Sequence, residues 1–151
     1  MAVSIPTAEQ VFRRVPCFCA VLTIAARSVS RLYNDELRSV GLEVTQHALL
    51  AVLRQLGRVT LGELGERLAV DKTTISRNVK VLERNGWVSV ERGKDGRERV
   101  TMLTDSGAKK LNSAKPAWDR AQHRMQEAMS SKSFETIRRQ MPDVALAAIT
   151  A

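Results

Sequence analysis

The tightest constraint on this chain lies between Thr60 and Leu103, where two short amphipathic segments joined by a two-residue turn run directly into a basic, alternating stretch. Thr60-Leu-Gly-Glu63 sets a hydroxyl and a carboxylate three residues apart, the spacing at which each satisfies a free backbone N–H in the first turn of a helix. The helix started there has Leu61, Leu64 and Leu68 as its apolar stripe. Ala69 and Val70 turn the chain. Asp71 then stands where a carboxylate accepts the unpaired N–H groups of a second helix, which runs to about Arg84 and stops at Asn85-Gly86. At about 100° per residue, Ile75, Val79 and Leu82 share one face of that helix, and Thr73, Arg77, Lys80 and Arg84 lie opposite. One face packs and the other is left to solvent or to a partner.

Trp87–Arg92 and residues 97–103 alternate apolar and polar side chains across Gly93-Lys-Asp-Gly96, the pattern of a β-hairpin. Val88, Val90, Val100 and Met102 are the residues expected to face inward. Arg92, Lys94, Arg97 and Arg99 make the hairpin basic, and Asp95, two residues from Arg97, is placed to brace its guanidinium. Helix, turn, helix, hairpin in this order predicts a winged helix-turn-helix, in a chain that is mainly α with a small β-hairpin wing. The polar helix face then fits the major groove of duplex DNA, where Arg can fork onto guanine and Thr or Ser can meet base edges. Lys72, Thr73, Thr74, Ser76 and Arg77 are the candidate base readers. Lys80 and Arg84, further along, are placed for phosphates, and the wing arginines for a narrow minor groove. The competing reading of each is an ordinary solvated surface charge.

The flanks read as helical. Pro16 starts a long helix from about Cys17 to Ser39, with Val21, Leu22, Ala25, Val29, Leu32 and Leu37 on its apolar side, and Gly41 closes it. Thr45 is expected to cap a helix carrying His47, Leu49, Leu50, Leu53 and Leu56. Beyond the wing, Thr104 caps a helix from Asp105 towards Ser130, interrupted by Pro116, and Ser133 is expected to cap a last helix with Phe134, Ile137, Met141, Leu146 and Ile149. Terminal helices this apolar are hard to bury in one small lobe, so pairing with a second copy is expected. The organisation expected is a single domain over 1–151, with a winged DNA-binding lobe at 45–104 and N- and C-terminal helices, 16–44 and 105–151, forming a dimerisation region.

Charge fits this reading without proving it. The chain carries 24 Lys and Arg against 16 Asp and Glu, a net +8, which favours anionic partners. Only +3 of that falls between Arg58 and Thr104. No apolar run approaches the roughly 20 residues that span a bilayer, and the N-terminus lacks the layout of a signal peptide, so no membrane partner and a cytoplasmic location are expected. Enzyme chemistry has little to stand on. The two histidines, His47 and His123, belong to no spaced set of nucleophile, base and orienting acid, no phosphate-binding loop occurs, and no cofactor is expected. A DNA-packaging protein that binds without reading sequence is the stronger rival.

Three stretches resemble the multiple antibiotic resistance regulator (MarR) family of bacterial transcription factors. Asp95-Gly-Arg97 followed by Leu103-Thr-Asp-Ser-Gly107 looks like the family's wing running into the next helix. Leu61-Gly-Glu-Leu-Gly-Glu-Arg-Leu68 and Asp71-Lys-Thr-Thr-Ile75, with Leu82-Glu-Arg-Asn-Gly-Trp-Val88, match its helix-turn-helix. The resemblance spans nearly the whole chain. It implies an α-helical homodimer with two winged lobes that binds pseudo-palindromic operator DNA as a repressor, relieved by a small molecule or by cysteine oxidation.

Two sets of residues are candidates for receiving a signal. Arg27, Arg31, Tyr33, His47 and Trp87 are the types that line a pocket for a small aromatic acid, and each serves equally well in a core, an interface or a surface. Cys17 and Cys19 fall at the start of a helix close to Arg13 and Arg14, a setting that stabilises thiolate. The residues alone leave three readings of the pair open: buried and inert, an oxidant sensor, or a metal sensor. A disulfide within Cys-x-Cys closes a strained ring, which favours a bridge between subunits or none. Cys19 lies fourteen residues before Tyr33, similar to the sensing cysteine and one partner tyrosine of organic-hydroperoxide regulators in the same family. Two further tyrosines of those regulators are replaced here by Thr23 and Val44. Along one helix Cys19 and Tyr33 are about 21 Å apart, so a contact between them must cross a dimer interface.

Overall fold

A computed structural model describes residues 7–93, 96 and 98–150. The elements are α1 (Ala8–Arg14), α2 (Phe18–Leu37), a 3₁₀ turn (Arg38–Val40), α3 (Val44–Leu56), β1 (Val59–Thr60), α4 (Leu61–Leu68), α5 (Lys72–Arg84), β2 (Val88–Arg92), β3 (Arg99–Leu103), α6 (Asp105–Glu127) and α7 (Ser131–Thr150). The three strands form an antiparallel sheet in the order β1-β3-β2. The fold is therefore mainly α with a small winged sheet, as the sequence predicts.

The winged lobe is built by local chemistry. Thr60 Oγ1 accepts from the Glu63 backbone N–H at 3.2 Å while a Glu63 carboxylate oxygen accepts from the Thr60 N–H at 2.9 Å, closing the cap of α4. Ala69 adopts a left-handed conformation, φ 50°, and takes the chain out of α4. Gly65 makes that turn possible, because a Cβ there would stand 2.8 Å from the Val70 carbonyl oxygen. Asp71 then caps α5, with Oδ1 accepting from the Thr74 N–H at 2.9 Å and Oδ2 from its hydroxyl at 2.6 Å. Leu49, Leu50 and Leu53 of α3, Val59, Leu64, and Ile75, Val79 and Leu82 of α5 close a core under the sheet. α6 lies along α2 and α3, and its buried positions are Gly107, Leu111, Ala114, Ala117 and Ala121. Glu36 of α2, largely covered, accepts from Arg120 at 2.9 Å and Arg124 at 3.0 Å and clamps the two long helices together.

Four expectations are corrected. α3 starts at Val44, before Thr45, because the Val44 N–H is taken by Asn34 Oδ1 of α2 at 2.7 Å and Gln46 accepts from the Glu43 N–H. Ser130, not Ser133, caps α7, its Oγ accepting from the Ser133 N–H at 3.2 Å. α2 begins after Cys17 and ends at Leu37, its last residues tightening to the 3₁₀ turn before Gly41, φ 64°. The fourth concerns strand phase. The two-residue β1 pairs Val59 with Thr101, and β2 sets Val90 opposite Thr101 and Val88 opposite Leu103. Thr101 and Leu103 therefore share the inner face with Val88 and Val90, while Val100 and Met102 lie on the outer face, half-buried. Arg58 covers part of that outer face, its guanidinium 3.1 Å from Met102 Sδ.

Neither α1 nor α7 has a buried residue. Phe18 is 66% exposed, Leu146 61% and Ile149 66%, and Val11, Phe12 and Ile137 are exposed as well. Among the described residues no helix is long and apolar enough to cross a membrane.

Candidate nucleic-acid interface

α5 is anchored by three of its side chains and displays the rest. With Ile75, Val79 and Leu82 buried, Lys72, Thr73, Arg77, Lys80 and Arg84 are exposed on the outer side. Lys72, Thr73, Ser76, Arg77 and Lys80 border one shallow groove, and Arg77, Lys80, Val81, Glu83 and Arg84 the next. Thr74 is the exception among the sequence-selected residues, since its hydroxyl is held by Asp71 and serves the cap. The hydroxyl and then the N–H of Thr74 hold the Asp71 carboxyl below its ordinary range. Glu63 is lowered likewise, first by the Thr60 N–H and then by its hydroxyl.

In the wing, Arg92 and Arg99 face each other across the β2–β3 ladder at the end next to the hairpin tip. The tip is closed by the Gly93 N–H donating to the Glu98 carbonyl at 2.8 Å and the Gly96 N–H donating to the Gly93 carbonyl at 2.9 Å. Lys94, Asp95 and Arg97 lie outside the described residues. Arg99 stands 3.9 Å from Glu83 of α5, and Arg58 beside β1 pairs with Glu91 of β2 at 3.1 Å. These two pairs tie the wing to the outward helix and to the lobe. Sequence reading missed Arg58, Glu83 and Glu91, because their partners come from elements far apart in the chain.

A cavity of about 500 Å³ opens between α3 and α6, lined by His47, Ala51 and Arg54 on one side and Leu111, Asn112, Lys115 and Trp118 on the other. The His47 and Trp118 rings stack with centroids 6.1 Å apart and planes 13° from parallel. The Lys115 ammonium lies 5.5 Å from the Trp118 centroid and pairs with Asp119, and Arg54 donates to Asn112 Oδ1 at 3.3 Å. Burial, and then the Arg54 charge, lowers the His47 pKa. Of the sequence-selected pocket residues only His47 lines this cavity. Arg27 and Arg31 are exposed on α2, Tyr33 is half-buried there with its phenol pushed up by burial, and Trp87 packs elsewhere, under Lys110. The missed linings follow a signal that was available: 47, 51, 54 and 111, 115, 118 are both spaced i, i+4, i+7 on single helix faces.

Cys17 is the residue preceding α2 and Cys19 lies in its first turn; both are free and exposed in the single chain, unlike the buried, inert reading. Arg13, expected to favour thiolate, is engaged with Glu9 at 2.9 Å on α1.

An outward helix held by a capped turn beside a basic two-stranded wing defines a winged helix-turn-helix protein. The sequence profile of the MarR family matches residues 40–98. The crystal structure of the M. tuberculosis transcriptional regulator MosR in complex with DNA is 33% identical, covers 89% of this chain and 97% of that one, and superimposes with a TM-score of 0.79. The chain belongs to the MarR family, whose similar members are named as transcriptional regulators, not enzymes. Mutant E. coli MarR complexed with operator DNA shares the fold at 19% identity, with 89% and 97% of the two chains covered and a TM-score of 0.76. Among curated relatives, the uncharacterised regulator YwoH of Bacillus subtilis is 37% identical over 57% of this chain and 63% of its own. The organic hydroperoxide resistance transcriptional regulator of Bacillus subtilis is 26% identical over 60% of this chain and 62% of its own. The chain thus spans less than two thirds of the length of these curated relatives.

Proposed function

We propose that this chain is a homodimeric regulator that binds a pseudo-palindromic operator in double-stranded DNA, acting as a repressor in the bacterial cytoplasm. The observation that carries the reading is the division of α5: Ile75, Val79 and Leu82 lock it to the core, and Thr73, Arg77, Lys80 and Arg84 stand free beside a basic wing. Lys72, Thr73, Ser76 and Arg77 read bases, Lys80 and Arg84 meet phosphates, and the wing residues Arg92, Lys94 and Arg97 approach the minor groove. Dimerisation through the apolar side chains of α1, α2 and α7 sets two copies of α5 about 34–36 Å apart, one turn of duplex. The likeness to MosR bound to DNA supports the same use of the fold.

Release from DNA is ascribed to a small aromatic acid in the α3–α6 cavity, where Trp118 and His47 offer ring faces and Arg54 and Lys115 offer cations. The exposure of Cys17 and Cys19 favours a second reading, in which an oxidant modifies the thiols.

Selection of duplexes from a randomised pool tests the DNA reading, followed by titration at about 0.15 M salt against the selected and scrambled sequences. Arg77→Ala is expected to cost about 1–3 kcal/mol on the selected sequence and to relax preference at particular base pairs, whereas Lys80→Ala weakens all sequences alike and lowers the salt slope by about one. Equal binding of selected and scrambled duplexes by the wild type would point to packaging and overturn the proposal.

A further inference from the structure

Lys110 lies where the segment that follows the outward helix, the end of α2 and the start of α6 come together. The chain leaves α5 with the Trp87 N–H donating back to the Leu82 carbonyl at 2.9 Å, so Trp87 is tied to the last turn of α5. The Trp87 and Gly86 carbonyls then accept from the N–H and hydroxyl of Thr104, the cap of α6, at 3.1 and 2.7 Å. Trp87 is thereby fixed by its backbone to both helices. Nearly two turns further along α6, the Lys110 ammonium lies 4.9 Å from the centroid of the Trp87 ring and also donates to the carbonyl of Val40, at the end of the 3₁₀ turn that finishes α2. The last carbonyls of a helical segment lack internal partners and carry its negative end, so a cation is well matched there. Gly41, in a left-handed conformation at φ 64°, takes the chain out of that turn, and the Lys110 ammonium packs beside it at an ordinary contact distance from where a Cβ would stand, 3.6 Å.

The contrast with Lys115 on the same helix is informative. Both ammonium groups lie over a tryptophan, but Lys115 also has Asp119, an exposed neighbour one turn away, whereas Lys110 is half-buried and, among the described residues, ion-pairs with no carboxylate. Its two partners belong to different parts of the molecule: Val40 to the long helical platform, Trp87 to the lobe that carries α5.

We propose that Lys110 is a positioning residue, a strut that fixes the angle of the winged lobe against the α2–α6 platform and so sets the half-site separation a dimer accepts. The second part rests on the proposed DNA binding, and the first does not. Losing the strut removes one polar tie between lobe and platform while leaving the hydrophobic core they share intact, so the lobe samples a wider range of angles about that core. A dimer with looser lobes binds its best operator more weakly and discriminates less against altered spacing.

The test uses the full-length chain carrying Cys17→Ser and Cys19→Ser, with spin labels on cysteines introduced at the exposed positions Ser28 of α2 and Glu66 of α4, diluted with unlabelled protein so that only distances within one chain are read. Lys110→Met is expected to widen the distance distribution about twofold, and Lys110→Arg, which keeps the cation and its donors, to restore it. On duplexes selected by the wild type, Lys110→Met is expected to bind the preferred spacing about tenfold more weakly, within the range common for coupled sites, and to lose less than about threefold when one base pair is inserted between half-sites. If Lys110→Met does not fold, Lys110→Gln, which keeps a donor and drops the charge, carries the same comparison. An unchanged distance distribution overturns the strut. A widened distribution with wild-type spacing preference overturns its role in operator geometry. If the wild type selects no duplex, the DNA reading falls and the label distances still decide whether Lys110 holds the lobe.

Discussion

The winged lobe and the terminal helices solve the burial problem in opposite ways. In the lobe, α3, α4, α5 and the three strands close on one another, and Leu50, Leu53, Leu64 and Leu82 are fully covered within one chain. In α1 and α7 no residue is buried, although Phe12, Ile137, Leu146 and Ile149 are as apolar as anything in the core. A large apolar side chain gains roughly 1.5–3 kcal/mol when fully covered, so the ends forgo in the single chain what the lobe has secured. The lobe buries its own apolar side chains; the ends leave theirs uncovered, in keeping with the second copy proposed above.

The largest expected effect is at the seam between the two regions. A Cβ on Gly107 would stand 2.0 Å from the Trp87 carbonyl oxygen, a distance no side-chain movement relieves because the clash is with backbone. Gly107→Ala is expected to cost at least about 3 kcal/mol in urea unfolding, or to prevent folding. A variant as stable as the wild type would mean that lobe and platform can separate freely. Next comes the double change Leu146→Asp and Ile149→Asp, which leaves the lobe untouched. Self-association measured by sedimentation equilibrium is expected to weaken about 100-fold, while the lobe retains its hydrogen-exchange protection. Loss of lobe protection in parallel would break the distinction drawn above.

What could be read from sequence follows the same division. The caps at Thr60, Asp71 and Thr104 are local events among residues three apart, and all three form as expected. The buried face of α5 needs only the helical period. Strand phase in β3 does not follow from local pattern, because Val100-Thr-Met-Leu103 is nearly apolar throughout and the inner face is chosen by Val59, forty residues away in β1. The cap of α3 was missed for the same kind of reason, since Asn34 of α2 takes the Val44 N–H. At the candidate site, the outward residues of α5 were recoverable from periodicity. The cavity was legible only in halves, as an i, i+4, i+7 face on each of two helices, because the two faces line one space only once α6 lies against α3.

Thr101 sharpens the account of the lobe interior. It is fully buried at the centre of the sheet and, among the described residues, its hydroxyl has no hydrogen-bond partner. Leaving such a group unpaired costs about 1–3 kcal/mol, and valine has nearly the same shape without it. Thr101→Val is expected to raise stability by about 1 kcal/mol in urea unfolding. Destabilisation instead would show that the hydroxyl is satisfied in solution and that the lobe interior is less apolar than it looks.

The smallest effect separates the cavity from the caps by pH. His47 has a folded-state pKa lowered below its ordinary value by burial against Trp118 and by the nearby Arg54, with Lys115 as a further cation on the facing helix. Below about pH 6.5 the unfolded chain therefore binds a proton that the folded chain resists, so the stability associated with a neutral His47 is present above that pH and lost as pH falls through the folded value. Glu36, Glu63 and Asp71 are lowered too, by Arg120 and Arg124 in the first case and by capping hydrogen bonds in the others. Their contribution has the same sign but is lost only further into acid, below the ordinary carboxylate range near pH 4. Thermal midpoints recorded from pH 7.5 down to 5 should fall modestly in the wild type and stay nearly level in His47→Gln, with both proteins dropping together below pH 4. Identical slopes above pH 5 would place the titration elsewhere and remove the cavity histidine from the pH response.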